Sequence, residues 1–259
     1  MDLGLTNRKA LVCASSQGLG KACATALARE GAVVAINGRN AERLEDAAND
    51  ILRLTGQRPM TIVADVSTLE GRATLLARCP DPDILVTNNA GPAAGDPGQW
   101  TRDTWMAALE ENLLAAVLLI QSVVPGMRLH KFGRIVNITS AMVKAPQLAM
   151  GLSAAARTGL TAFCKALSRE IAADNVTINN LLPERFDTAR LHAMTQRLAQ
   201  QKNVSYEDAR RLMVRTIPAR RFGQPAEFGD ACAFLCAAQA GYISGQNLQL
   251  DGAAYTGLI

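Results

Sequence analysis

The sequence has 259 residues, a length that suits one large α/β domain. Its composition, 49% hydrophobic and 19% charged, is ordinary for a globular protein. The formal net charge is only +4 and no run of five Lys or Arg residues occurs, so we expect neither nucleic acid nor an anionic membrane as the main partner.

The N-terminus lacks the basic segment, apolar core and small-residue cleavage site of a secretory signal peptide. The longest apolar stretch, Leu113 to Val124, contains Gln121 and is followed by Pro125, so it is too short to span a bilayer. We therefore expect a cytoplasmic protein with no membrane contact.

The cysteines and histidines give little support for metal binding. Cys232 and Cys236 are four residues apart on a predicted helix, a spacing that we interpret as two small buried residues. The two histidines, His130 and His192, have no ligand partner nearby in the sequence. We predict no metal site and no Ser-His-Asp triad.

Short β-rich runs alternate with helical patterns along the whole chain. The predicted strands are residues 9–14, 32–38, 61–66, 83–91, 133–140, 176–183 and 247–252. The predicted helices are residues 19–30, 41–54, 68–78, 102–127 and a stretch that includes Ser153. Several strands are continuous apolar runs, typical of parallel strands buried on both faces. We predict a Rossmann-type α/β fold, a three-layer doubly wound parallel sheet of about seven strands.

No change in composition and no internal repeat divides the chain, so we predict one domain over residues 1–259. The irregular region is 184–222, a long polar stretch between the last two strands. It contains two helix-like segments, about 188–201 and 205–215, and is too long for a simple connection. We expect this region to form a substrate lobe.

A glycine-rich turn follows the first strand in CASSQGLGKACATALA. Gly18 and Gly20 open the next helix, where glycines let the backbone approach a phosphate and the helix terminus offers free N–H groups. The second strand ends in INGRN, with Arg39 and no acidic residue. Since an acidic residue there binds the ribose of NAD and an Arg accommodates a 2′-phosphate, Arg39 favours NADP(H) over NAD(H).

Several further motifs make the chain resemble a classical short-chain dehydrogenase/reductase, of the kind that includes 3-oxoacyl-carrier-protein reductases. CASSQGLG matches the family's glycine turn, with Cys13 and Ala14 in place of Thr and the first Gly. NNAG at 88–91 is a specific match, and the segment 220–252 resembles the family's C-terminal part. The resemblance, which covers essentially the whole chain, implies a catalytic Asn112 and a catalytic Ser140. The implied cofactor-binding residues, together with those of the turn and Arg39, are Ser15, Ser16, Gln17, Gly18, Leu19, Gly20, Arg39, Asp65, Val66, Asn89, Ala90, Gly91, Arg157, Pro183 and Phe186.

The sequence departs from the family at the expected Tyr-x-x-x-Lys pair. Counting thirteen residues from Ser140 gives Ser153, and four further gives Arg157, with no nearby Tyr to offer another alignment. In the family, the Tyr hydroxyl transfers a proton at the substrate oxygen, and the Lys lowers the Tyr pKa and binds the nicotinamide ribose. A serine hydroxyl is much less acidic than a phenol and is too short to reach the same position. Arg157 can bind the ribose, but it stays protonated.

A second departure follows the sixth strand, where Glu184 replaces the family's Gly after Pro183. Glu184 either crowds the nicotinamide or places a carboxylate in the site. Tyr206, His192 and Arg185 are alternative sources of a displaced acid, although each is better explained as a surface or packing residue.

Two functions from different classes follow. The first is an NADP(H)-dependent oxidoreductase with an altered proton relay, acting on a carbonyl or alcohol, or on an activated carbonyl or imine. The second is a catalytically impaired NADP(H)-binding protein that serves as a sensor or as a partner subunit. Non-redox chemistry on the same scaffold, such as lyase or isomerase action, is a third.

The resemblance also implies a homo-oligomer, a tetramer or a dimer, besides a small-molecule substrate. The family's contacts correspond here to about 102–127, 154–173 and 224–252. Their alanine- and leucine-rich character fits helix–helix burial, which packing within one chain would explain equally well.

Overall fold

Seven parallel strands form a single sheet in the computed structural model, which describes residues 1–258. The strands are β1 (Lys9–Val12), β2 (Val33–Gly38), β3 (Met60–Val63), β4 (Ile84–Thr87), β5 (Gly133–Ile138), β6 (Val176–Pro183) and β7 (Asn247–Leu250). Their order across the sheet is β3-β2-β1-β4-β5-β6-β7, so the direction of winding reverses between β1 and β4. A crevice at the carboxyl ends of the strands is expected at that reversal.

Nine α-helices connect and cover the strands within the described residues. They are α1 (Gly18–Arg29), α2 (Ala41–Thr55), α3 (Leu69–Arg78), α4 (Arg102–Leu109), α5 (Ala115–Leu129), α6 (Gly151–Ile171), α7 (Ala189–Lys202), α8 (Tyr206–Arg215) and α9 (Pro225–Cys236). The predicted Rossmann-type fold is confirmed. Most predicted elements lie within one or two residues of those observed.

The hydrophobic core has two halves, one on each face of the sheet. Side chains along β1 alternate between them, because successive residues of a strand point to opposite faces: Ala10 and Val12 face one half, and Leu11 and Cys13 the other. Helices α1, α2 and α9 cover the first face, and α3, α5 and α6 cover the second. This is the predicted three-layer arrangement.

The predicted single helix over 102–127 is interrupted by a wider, π-type turn at Glu110–Leu114. By length and composition the run Arg102–Leu129 could cross a membrane, since an 18-residue window within it has a mean hydropathy of 1.6. However, Leu119, Ile120 and Val123 are buried against the sheet. We therefore interpret the run as a core helix.

The segment between β6 and β7 contains α7 and α8, as the sequence predicts, and α9. Helices α7 and α8 enclose a small apolar cluster of their own, formed by Leu191, Met213, Ile217 and Phe222. A bridge between Phe186 and Gly223 fixes the base of the lobe beside β6. The two helices therefore lie beside the carboxyl ends of β6 and β7.

Candidate active site

The turn after β1 has the geometry of a phosphate cradle. Gly18 has a φ of +59°, a conformation that glycine adopts without a steric penalty. A methyl group on Gly20 would lie only 2.5 Å from the carbonyl oxygen of Ala14, so α1 can approach the turn only with glycine there. The side chain of Gln17 does not cap α1, which leaves the first N–H groups of the helix available to an anion. These features fit a dinucleotide pyrophosphate.

Ala14 adopts a φ of +42° where the family has glycine. Its N–H donates to Asn37 Oδ1 at 3.1 Å and its carbonyl accepts from Asn88 Nδ2 at 3.0 Å. These two side-chain bonds fix a backbone conformation that alanine rarely adopts. They also connect the turn to the ends of β2 and β4.

Arg39 and Asp65 meet beside the turn, where an adenosine end of the cofactor would lie. Arg39 Nη1 is 3.6 Å from Asp65 Oδ2, and its side chain is 67% exposed and free to move. Partial burial of Asp65 opposes ionisation, but hydrogen bonds from Ser67 and the charge of Arg39 outweigh it and lower the pKa of the Asp65 carboxyl. Ser16 packs on Gly38, directly before Arg39. Ser16 and Arg39 thus offer a hydroxyl and a cation to a 2′-phosphate.

The predicted strand 83–91 ends at Thr87 in the structure, four residues earlier, because the side chains of the NNAG segment bond to neighbouring loops. Asn89 Nδ2 donates to the carbonyl of Glu111 in the π-type turn at 3.1 Å, and Asn89 Oδ1 accepts from Ala90 N at 2.8 Å. These bonds bring Gly91 to the crevice opposite α6. The crevice is lined in part by Cys13, Val66, Asn88, Asn89, Asn112 and Arg157.

Arg157 is the centre of the site. Its Nη1 donates to the carbonyls of Ile138 and Thr139 at 2.8 and 2.9 Å, at the end of β5. Its Nη2 donates to Asn112 Oδ1 at 2.9 Å and its Nε to Ser153 Oγ at 3.1 Å. The structure therefore joins three of the four predicted catalytic residues, Asn112, Ser153 and Arg157, in one network.

The side chain of Arg157 is almost fully buried, yet none of its four acceptors is charged. Burial, and secondly the charge of Arg190, lower the pKa of Arg157 to about 10. Arg157 is thus still protonated at neutral pH. The site presents a positive charge at the position where the resemblance implies a tyrosine-activating lysine.

Ser140 follows Thr139, whose carbonyl binds Arg157, so the fourth predicted catalytic residue is adjacent to the network. Its Oγ accepts a hydrogen bond from Met142 N at 3.2 Å, which caps a short turn. The hydroxyl proton of Ser140 is therefore available to a substrate oxygen. Ser153 also accepts from Arg157, and its own hydroxyl can donate likewise.

The alternative acids lie in the lobe, among other partners. Arg185 Nη1 donates to the carbonyl of Met213 at 2.8 Å, and His192 Nε2 is 2.7 Å from Asp187 Oδ1. The Tyr206 ring is 6.4 Å from that of His192. Burial raises the pKa of the Glu184 carboxyl. The positive charge of Arg185 opposes this shift and the negative charge of Asp251 adds to it. None of these side chains lines the crevice at Arg157.

Pro183 ends β6, and Phe186 lies beyond it at the base of the lobe. The Phe186 ring is buried edge-on against Phe228, with centroids 5.2 Å apart, and fits over Gly223. Its side chain therefore packs in the core, and its backbone is the part that a cofactor could reach. The Phe186 side chain is thus not part of the network of Asn112, Ser153 and Arg157.

Two residues near the crevice lacked any sequence signal. Arg190 on α7 extends back to Gly91 and donates to the carbonyl of Pro92 at 3.4 Å. The Trp100 indole covers Gly151, two residues before Ser153, where a methyl group would be 2.9 Å away. No motif marks either residue, because each reaches the site from a different part of the chain.

Comparison with known proteins agrees with this geometry. A family model described as Enoyl-(Acyl carrier protein) reductase matches residues 13–253. The chain is 29% identical to the NADPH-dependent reductase BacG of Bacillus subtilis (strain 168), over 96% of this chain and 98% of that protein. It is 32% identical to the 3-oxoacyl-[acyl-carrier-protein] reductase FabG of Escherichia coli (strain K12), over 95% and 96%.

Among solved structures, the chain resembles L-sorbose reductase from Gluconobacter frateurii, complexed with NADPH and L-sorbose. The TM-score is 0.94 and the identity 27%, and the alignment covers 100% of both chains. The cofactor preference predicted from Arg39 agrees with these relatives, since NADPH is named for both the Bacillus and the Gluconobacter proteins.

Proposed function

This chain belongs to the classical short-chain dehydrogenase/reductase family and prefers NADP(H), and on that premise we propose that it is an oxidoreductase with a non-standard proton relay. Its substrate is a carbonyl compound or alcohol, or an activated carbonyl or imine. The observation that carries the proposal is the network of Arg157 with Asn112 and Ser153, in which a serine stands at the position of the phenol beside a fixed cation.

When bound, the nicotinamide supplies or accepts a hydride. The residues of this chain then have to compensate the negative charge that develops on a reduced carbonyl oxygen. Arg157 offers charge at a position fixed by four hydrogen bonds, which is the arrangement that stabilises an oxyanion without reorganisation. Ser140 and Ser153 offer hydroxyl donors, and water supplies the proton. Asn112 orients the guanidinium.

The lack of a phenolic acid limits the substrate. General acid catalysis commonly contributes about 10²–10⁴-fold to a rate. An ordinary ketone, whose alkoxide product is strongly basic, would lose most of that factor. A substrate whose reduced form carries a delocalised or less basic charge would lose little. This supports an activated carbonyl or an imine.

The second candidate, an impaired NADP(H)-binding protein acting as a sensor or partner subunit, has one observation in its favour. The Nη1, Nη2 and Nε of Arg157 all donate to acceptors of the protein itself. A guanidinium occupied in this way can serve as a structural support for the crevice. Turnover would then be absent although the cofactor binds.

The same proposal includes three further points. The chain is a single domain whose lobe at 184–222 binds the substrate, the protein is a homo-oligomer, and it is located in the cytoplasm. The lobe is supported by the position of α7 and α8 beside the carboxyl ends of the strands. The oligomer is supported by family membership and by exposed apolar side chains on α5 and α9.

The test is a comparison of binding with turnover. NADPH affinity is measured by fluorescence, and NADPH oxidation is then followed with ketones, 3-oxoacyl thioesters, diketones and imines. We expect micromolar or tighter NADPH binding and oxidation with at least one activated substrate. Tight binding without turnover on the whole panel supports the sensor instead, and no NADPH binding contradicts both.

A further inference from the structure

Two guanidinium groups converge at the end of the crevice where the nicotinamide would lie. A methyl group built on Gly91 would be 3.0 Å from Arg157 Nη2 and 3.2 Å from Arg190 Nη1. The two side chains come from different helices, α6 and α7, so neighbouring positions in one helix do not explain their approach. Arg157 is buried and lines the crevice. Arg190 is exposed and reaches Gly91 from outside the crevice lining.

Neither cation has an acidic partner among the described residues 1–258. The acidic residues nearest to Arg190 in the sequence are engaged elsewhere: Glu184 faces Arg185 at 3.7 Å, and Asp187 contacts His192. The acceptor for Arg190 is the neutral carbonyl of Pro92. Glu111 also lines the crevice beside Arg157. The two guanidinium groups still approach one glycine as like charges, and an anion bound between them would relieve their repulsion.

The phosphates of the cofactor fit elsewhere. The pyrophosphate fits the turn at Gly18 and Gly20, and the 2′-phosphate fits beside Arg39, both away from the nicotinamide end. The methyl of Thr188 lies 3.9 Å from a Cβ built on Gly18, so the first residues of the lobe pass close to the pyrophosphate turn. Arg190, two residues later, points instead to Gly91 and Pro92. This separation leaves the guanidinium pair for a third anion.

We propose that Arg157 and Arg190 together bind a carboxylate of the substrate, so that the substrate is a carbonyl compound with a carboxylate close to its reacting carbon. The inference rests on the proposed function, because it assigns a substrate class to the same crevice. Arg157 has five N–H donors and uses four of them within the protein, so it adds one N–H of Nη2 and its charge. Arg190 has more free donors, and its planar guanidinium suits a carboxylate. An adjacent carboxylate also activates the carbonyl, in agreement with a site that lacks a phenolic acid.

The test compares acids with their uncharged amides. Binding of 2-oxobutanoate and levulinate, each beside its primary amide, is measured by calorimetry on the protein saturated with NADP⁺. We expect at least one acid to bind about tenfold or more tightly than its amide, the size of one charged hydrogen bond. The variant Arg190→Met should abolish this preference and leave NADPH affinity unchanged, and Arg190→Lys should restore part of it.

Arg197→Met is the matched control, because it removes the same charge from an exposed position on the same helix. It should keep the preference for the acid. Equal affinity for acid and amide, or no detectable binding of either acid, contradicts the inference. Weaker NADPH binding by Arg190→Met at unchanged acid affinity also contradicts it, because Arg190 would then bind the cofactor. If acids bind as expected while no substrate is reduced, the proposed function fails and the anion site stands.

Discussion

At the scale of single residues, the candidate site keeps a cation at the position of the family's lysine but has a serine at the position of the family's tyrosine. The position of the family's lysine carries a guanidinium that bonds to Asn112, to Ser153 and to the end of β5. In the proposed function, charge stabilisation by Arg157 takes the place of proton donation by a phenol. Three residues outside this network, Arg39, Glu184 and Arg190, also carry charges with specific consequences.

Removing the cation at Arg39 should weaken NADPH binding. The side chain is exposed, and its ion pair within the described residues is with Asp65 at 3.6 Å, so we expect Arg39→Ala to leave the fold intact. Loss of a charged hydrogen bond predicts about 10- to 100-fold weaker NADPH binding with little change for NADH. Fluorescence titration with both cofactors measures this, and Arg29→Ala, a similar loss of charge at the far end of α1, is the control. Equal weakening for NADPH and NADH would show that Arg39 does not bind the 2′-phosphate.

Replacing Glu184 by Gln should stabilise the protein at neutral and alkaline pH. The folded-state pKa of Glu184 is raised above its ordinary value of 4.5, chiefly by burial, so ionisation costs free energy in the folded state. That cost is complete above the raised pKa and disappears as the pH falls below about 4.5. The Tm of Glu184→Gln should exceed that of the wild type at pH 8, and the difference should vanish near pH 4. A lower Tm at pH 8 would contradict the direction of the shift.

At the scale of elements, the close approach of helices determines where glycine is required. Gly229 of α9 faces α1, and a methyl group there would lie 2.4 Å from the carbonyl oxygen of Ala22. Backbone cannot move aside as a flexible side chain can. The contact therefore fixes α9 on α1, and with it the start of the cofactor-binding helix.

Gly229→Ala should lower the free energy of unfolding by about 1–3 kcal/mol, the usual cost of overpacking. Alanine is the better helix former by up to about 1 kcal/mol, so the steric term has to exceed that gain. Urea unfolding measures the difference, and Ala226→Leu on the exposed side of α9 should change it by less than about 0.5 kcal/mol. A stabilised Gly229→Ala variant would contradict this packing.

The elements themselves could be predicted because their signals are local: apolar runs, glycine turns and capping residues within a few positions. The motifs after β1 and β4 likewise predicted the position of the crevice. The break at Glu110–Leu114 could not be predicted, because no glycine or proline interrupts the helical pattern there. Arg190 was missed for a different reason. It lies in a predicted helix with no motif, and only the packing of the lobe brings it to Gly91.

At the scale of the whole molecule, the exposed apolar side chains on the outer side of the sheet helices are consistent with self-association. Leu114 and Leu118 lie one turn apart and are each 37% exposed. Phe234 on α9 and Leu248 on β7 are exposed to a similar degree, in the predicted contact region 224–252.

The wild-type protein should therefore elute as a tetramer or dimer in size-exclusion chromatography with light scattering. Leu118→Glu should shift it to a smaller species, because a charge would be buried in the contact. Leu52→Glu is the matched control, since Leu52 is 38% exposed on α2, outside the predicted contacts. A monomeric wild type, or equal behaviour of the two variants, would contradict the assignment.

The most direct test of the account is the rate at which NADPH reduces an ordinary ketone, such as cyclohexanone, in the wild type and in the double variant Ser153→Tyr with Arg157→Lys. If residues 153 and 157 lie at the reacting centre and lack only the phenolic acid, kcat/KM should rise at least about tenfold, part of the usual contribution of general acid catalysis. The contradicting result is a double variant that is folded and binds NADPH, yet reduces the ketone no faster than the wild type, when the wild type itself has measurable activity on this ketone.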